Sequence, residues 1–218
     1  MATSEPIETP HGQVTAVLES PSSVTGTPIL LAHGAGLGQH HPWMLMMRTR
    51  LVAAGHLVMT FDYAYMEAGR KAPDRLPKLL DVHEAVARSL SDRAGEILLG
   101  GKSMGGRVGS HLVADGRCDA VGLVYLGYPL VAMGKTEPRD TEHLMRIGVP
   151  QLFVSGTRDR MGPRLAIESV ASAVPNGSVV FIKDGDHSLT PLKRSGRSIE
   201  DSLDSAVLSI QDWAAREL

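Results

Sequence analysis

Along the chain, apolar and polar positions fall into two textures. Seven short runs are almost continuously aliphatic or β-branched: residues 14–19 (VTAVLE), 28–33 (PILLAH), 56–61 (HLVMTF), 96–101 (EILLGG), 120–127 (AVGLVYLG), 150–156 (PQLFVSG) and 178–184 (SVVFIKD). Strands covered on both faces read this way, because neither side has to meet water. The stretches between them repeat with helical period. Leu79, Val82, Val86 and Leu90 fall on one helix face, as do Ile199, Leu203, Val207, Ile210 and Trp213. Ser198, with Asp201 three residues on, precedes the second set and can satisfy free N–H groups at a helix start. Alternation of this kind predicts an α/β fold, a mostly parallel central sheet with helices on both faces. Residues 1–11 are polar and proline-bearing and are expected to form a flexible N-terminal arm, leaving 12–218 as a single domain.

In such sheets chemistry gathers at the carboxyl ends of the strands, so a functional residue should follow directly on an apolar run. The segment LLGGKSMGGRVG, residues 98–109, meets that condition. A phosphate-binding loop needs a glycine five residues before Gly101, where Glu96 stands, so that reading fails. Gly101-Lys102-Ser103-Met104-Gly105 instead matches G-x-S-x-G, in which a serine is presented at the apex of a sharp strand-to-helix turn. Gly101 and Gly105 supply the small residues the turn requires, and Gly106 lets the next helix approach the sheet. The pattern alone arises by chance in roughly one chain in ten of this length, so its position between a strand and a helix carries the weight.

A serine hydroxyl needs a base, usually a histidine oriented by a carboxylate. Behind an elbow of this type the order along the chain is serine, acid, histidine. His111 lies on the helix leading away from the elbow and His143 in a polar helical stretch. His187 alone follows a strand directly. Asp159, just past the strand at 150–156, is the expected acid, while Asp184 and Asp186 read as turn residues. The oxyanion hole is expected from the backbone N–H of Met104 and that of Ala35, with Gly36 as the alternative. The glycines at 34, 36 and 38 do not make a dinucleotide fingerprint, because Gln39 occupies its third glycine position. His33 reads as structural.

Composition narrows the partners. A formal charge of −2 gives no electrostatic case for nucleic acid or an anionic membrane. The apolar runs are strand-sized, too short for a membrane span. The first residues lack a basic segment followed by an apolar one, so no signal peptide is expected. A lone Cys118 excludes an internal disulfide and fits a reducing compartment, so a cytoplasmic location is expected. His40 and His41 are adjacent and have no accompanying carboxylate, and neither a metal nor a cofactor is expected.

With LAHGAG, FDYAYMEAGRKAPDR, GGKSMGGR, SGTRD and DGDHSL in place, the chain resembles the α/β-hydrolase superfamily over about residues 14–218. Within it the sequence is similar to the small uncapped dienelactone-hydrolase-like branch, and to a testis-expressed protein and a nuclear acetyltransferase-complex subunit. The resemblance implies an α/β-hydrolase fold and catalytic roles for Ser103, Asp159 and His187. Dienelactone hydrolases proper use a cysteine nucleophile, whereas the elbow here holds Ser103.

Only 22 residues, 128–149, separate two strands where many relatives insert a cap, so no cap domain and an open site are expected. The long connection at 63–78 should border the site, with Tyr63 and Tyr65 lining an acyl pocket and Arg70 receiving an anionic group; a surface loop tied by ion pairs is the competing reading. The functional expectation is a serine hydrolase acting on a small-molecule ester or thioester. A non-catalytic interaction protein of the same fold, and an acyltransferase or amidase using the same residues, are the alternatives.

Overall fold

Every aliphatic run becomes a strand. The structure, a computed structural model, describes residues 2–218. Its strands are β1 (Ala2–Ile7), β2 (Val14–Glu19), β3 (Gly26–Ala32), β4 (His56–Phe61), β5 (Ile97–Lys102), β6 (Ala120–Leu126), β7 (Gln151–Gly156) and β8 (Gly177–Ile182). They form one sheet in the order β1-β2-β4-β3-β5-β6-β7-β8. From β4 to β8 neighbours are parallel; β2 pairs antiparallel with both β1 and β4. The helices are α1 (Pro42–Ala53), α2 (Ala64–Glu67), α3 (Leu76–Ala94), α4 (Met104–Ala114), α5 (Arg164–Ala173) and α6 (Ile199–Glu217).

Period-two alternation on the strands divides the core. Leu30, Leu99, Tyr125 and Phe153 point to one face and pack with Leu79, Val82, Val86 and Leu90 of α3, Val108 and Leu112 of α4, and Ile167 of α5. Leu31, Leu98, Val124 and Leu152 point the other way, against Trp43, Met44, Met47 and Leu51 of α1 and Leu203, Val207, Ile210 and Trp213 of α6. Each fully buried aliphatic side chain contributes about 1.5–3 kcal/mol of transfer free energy. The start of α6 carries the reciprocal cap foreseen for it: Asp201 N donates to Ser198 Oγ at 3.0 Å, and Ser198 N to Asp201 Oδ2 at 2.7 Å.

One expectation is corrected. Residues 2–7, read as part of a flexible arm, form the edge strand β1 in full register with β2, from Ala2 opposite Glu19 to Ile7 opposite Val14. An edge strand has little to bury, so its sequence lacks an aliphatic run. Here only Ile7 is buried, and Pro6 is tolerable because one side of the strand needs no ladder partner. Arg93 of α3 anchors it through Glu5 at 2.7 Å.

Candidate active site

The turn from β5 to α4 forces Ser103 into a backbone conformation that L-residues rarely adopt, φ 51°, ψ −112°. Only the absence of side chains around it makes the turn possible. A Cβ on Gly101 would overlap Gly105 C and Gly106 N, and one on Gly105 would lie 2.5 Å from Ala32 O. The second overlap was not foreseen: Gly105 is small because the elbow is pressed against the end of β3. Strain of this kind costs on the order of 1–3 kcal/mol and persists only where packing imposes it.

Opposite the elbow, the chain leaving β8 turns back through Asp184, itself at φ 59°, and presents His187. His187 Nε2 lies 2.8 Å from Ser103 Oγ, and Nδ1 lies 2.8 Å from Asp159 Oδ2. A carboxylate can only accept, so Nδ1 carries the ring proton and Nε2 is left to accept from the serine hydroxyl. Asp159 is 4% exposed, and its other oxygen accepts from Met161 N at 2.7 Å, which fixes the carboxylate plane. Asp186 caps its own turn, accepting from Ser188 N and Thr190 N, while Asp184 lies in the left-handed region, as turn residues do.

Two further side chains hold the His187 loop. Lys102, only 2% exposed, donates from Nζ to His187 O at 2.7 Å. Trp43 Nε1 donates to Ser188 O at 2.8 Å, and the Lys102 ammonium sits 5.5 Å over the Trp43 ring. Burial pushes Lys102 down to about 8, and Asp159 and Asp186 oppose the shift. Neither residue's role was read from the sequence. Lys102 falls at a variable position of the elbow motif, and Trp43 lies 145 residues from Ser188.

The loop after β3 supplies the third part. Gly36 N donates to Tyr65 Oη at 3.1 Å, which removes it as an oxyanion donor. Among the described residues the N–H groups of Ala35 and Met104 have no partner, and both residues line the same cleft as Ser103. His33 anchors this loop: Nδ1 contacts Gly34 O at 2.7 Å, and Nε2 accepts from Tyr63 N at 3.3 Å. Burial lowers the His33 pKa, so Nε2, 3.7 Å from Asp62 Oδ1, makes no charged pair with it.

The cleft has a volume of about 280 Å³, and its walls correct the substrate-contact expectations. Tyr63 and Tyr65 are fully buried rather than pocket-lining. Tyr63 Oη shares a hydrogen bond with His83 Nδ1 at 3.0 Å, and Tyr65 props the Ala35 loop. The short helix α2 turns both rings inward, which an aromatic-rich loop sequence does not disclose. Arg70 is committed to Asp74 at 2.6 Å, and Lys78 adds a second cation to the same carboxylate. The actual walls come from Pro73, Leu76 and Leu79, from Pro129, Arg139 and Met161, and from Arg107 and Val108 of α4. Arg107 was discoverable, since it stands four residues after Ser103, in the first turn of the helix that leaves the elbow. Between Gly127 and Pro150 there is only a loop and the short 3₁₀ turn Glu142–Arg146. His111 and His143, not part of the site, stack on each other 3.7 Å apart. Among the described residues no three His, Cys, Asp or Glu side chains gather as a metal-ligand set.

A family model described as an alpha/beta hydrolase domain matches residues 25–215. The chain belongs to the α/β-hydrolase family. Solved structures agree in fold at low identity. XC6422 from Xanthomonas campestris, described as an a/b serine hydrolase without lid, is 17% identical with a TM-score of 0.73, covering 100% of this chain and 95% of its own. Est1E from Butyrivibrio proteoclasticus is 14% identical with a TM-score of 0.74, covering 97% and 99%. A dienelactone hydrolase from Anabaena variabilis is 17% identical with a TM-score of 0.75, covering 100% and 98%.

Proposed function

We propose that this α/β-hydrolase-family protein is a serine hydrolase that cleaves small carboxylic esters or thioesters through an acyl-enzyme. Ser103 Oγ attacks the carbonyl carbon while His187 Nε2 takes its proton. Asp159 holds the ring in the tautomer that leaves Nε2 free and stabilises the imidazolium that forms. The N–H groups of Met104 and Ala35 receive the negative charge that develops on the carbonyl oxygen. The imidazolium then protonates the leaving oxygen or sulfur, and water, deprotonated by the same nitrogen, releases the acid. The observation that carries this reading is the unbroken relay from Asp159 through His187 to Ser103, 2.8 Å at each step, ending in a cleft beside two unengaged N–H groups.

The test is a fluorophosphonate probe with peptide mapping, run beside hydrolysis of p-nitrophenyl acetate. Labelling is expected at Ser103 alone. The Ser103→Ala protein is expected to lose about 10³-fold or more in rate, because the three residues act as a unit. An unlabelled protein with an intact fold would point to the non-catalytic interaction protein instead.

A further inference from the structure

Several partly buried arginines on this chain have carboxylate partners: Arg48 with Glu19, Arg93 with Glu5, Arg117 with Asp81 and Arg70 with Asp74. The two arginines in the Ser103 cleft do not. Arg107 and Arg139 both line it, and among the described residues neither guanidinium makes an ion pair or a hydrogen bond. Arg107 is half-buried, and its Nε is out of contact with water and without an acceptor. A buried donor left unmatched carries a desolvation cost, and a bound acceptor would remove it. The two cations also repel: burial and the neighbouring Arg139 charge lower the Arg107 pKa. Asp140 and the Tyr128 hydroxyl pull the other way without bonding to it. Asp140 Oδ1 accepts from Glu142 N, and Tyr128 Oη is engaged with Ser110 and His143. The remaining acid in the cleft, Asp74, is already neutralised by Arg70 and Lys78.

We propose that the cleft takes an ester whose acyl chain ends in a carboxylate, received by Arg107 and, at the rim, by Arg139. The spacing fits a short chain. Arg107 lies in the first turn of α4, its backbone N–H donating to Ser103 O at 3.1 Å, and both residues line the cleft, so a carbonyl at Ser103 leaves a carboxylate a few bonds further on at Arg107. Guanidinium groups suit this partner because their planar N–H fork matches a carboxylate in two parallel bonds. The apolar walls from Leu76, Leu79 and Met161 would cover the methylenes between the two ends. This inference rests on the serine hydrolase reading and narrows its substrate class.

The experiment compares kcat/KM for mono-p-nitrophenyl glutarate with that for p-nitrophenyl pentanoate, an ester of equal chain length without the charge. The native protein is expected to favour the glutarate by about tenfold or more, the scale of a charge-assisted hydrogen bond. In Arg107→Gln the ratio should collapse toward one, and Arg107→Lys should restore part of it. Arg139→Gln, an exposed position whose loss the fold tolerates, should lower the ratio less. A native ratio near one, or a ratio that Arg107→Gln leaves unmoved while the variant still labels with the fluorophosphonate, would overturn the inference and leave the hydrolase reading standing. Absence of Ser103 labelling in the native protein would overturn both.

Discussion

The two ends of the sheet both carry a hollow, and the larger one is at the wrong end for chemistry. At the amino ends of the strands a concavity of about 730 Å³ lies between Thr25, His56, Glu96, Val149 and the end of α6. At the carboxyl ends the Ser103 cleft has less than half that volume. The larger hollow holds Thr25, His56 and Glu96, but among the described residues no hydrogen bond links their side chains into a relay, whereas the smaller receives Ala35 after β3, Ser103 after β5 and Met161 after β7, with His187 after β8 bonded to Ser103. In a parallel sheet every strand points its carboxyl end the same way, so connections that carry reactive groups converge there whatever the size of the space. Volume marks where the chain packs loosely; convergence marks where it can react.

Substitutions at the two ends sharpen that contrast. The largest effect is expected from Gly101→Ala, which drives a Cβ into Gly106 N. We expect loss of the elbow, seen as failure of fluorophosphonate labelling together with a lowered melting temperature, whereas Glu96→Gln at the rim of the amino-end hollow should move stability by no more than about 0.5 kcal/mol and leave labelling intact. A melting curve and labelling pattern in Gly101→Ala equal to the native protein's would remove the packing argument for the elbow.

Next comes Lys102→Met, which keeps the packing on Trp43 but deletes the bond to His187 O. Turnover should fall about tenfold to a hundredfold through a misplaced ring, read as kcat falling with KM little changed. The pH profile of stability gives a second readout. With Lys102 depressed to about 8 in the fold and about 10.4 in the unfolded chain, the unfolded state binds more protons between these values. Stability from this group is therefore complete above the unfolded pKa and declines as pH falls toward 8. In Lys102→Met that slope should vanish from urea titrations run across the window.

The effect that is smallest at neutral pH is spread over the acid range. Burial depresses His83 to about 3 and His143 to about 4. Both must stay neutral in the fold, so stability should be lost as pH falls from about 6.5 toward those values. Urea midpoints for His83→Gln should show a shallower acid slope than the native protein. An unchanged slope would mean that this ring takes up its proton without cost in the fold.

Much of this was legible because buried parallel strands announce themselves. Seven strands were readable from aliphatic runs, and Ser103, Asp159 and His187 from what directly follows three of them; the contacts show all three within hydrogen-bonding reach. β1 was illegible because a solvent-facing edge leaves no apolar trace. The cleft walls were illegible for a different reason. Whether Tyr63, Tyr65 or Arg70 faces the substrate depends on how a four-residue helix rolls against the core and on which carboxylate a cation finds, and neither is periodic in sequence. Arg107 and Lys102 were hidden in plain view, inside a motif read only for its glycines and its serine.

His33 makes the cradle beside Ser103 conditional on a single absent proton. Its Nδ1–H faces the Gly34 carbonyl and its bare Nε2 faces the Tyr63 N–H. Protonating Nε2 would set its hydrogen against the Tyr63 N–H and draw the ring toward Asp62 Oδ1, 3.7 Å away. The strand-end loop holding Ala35 would then lose its peg, and the proposed oxyanion donor would shift through a ring that lines no part of the cleft.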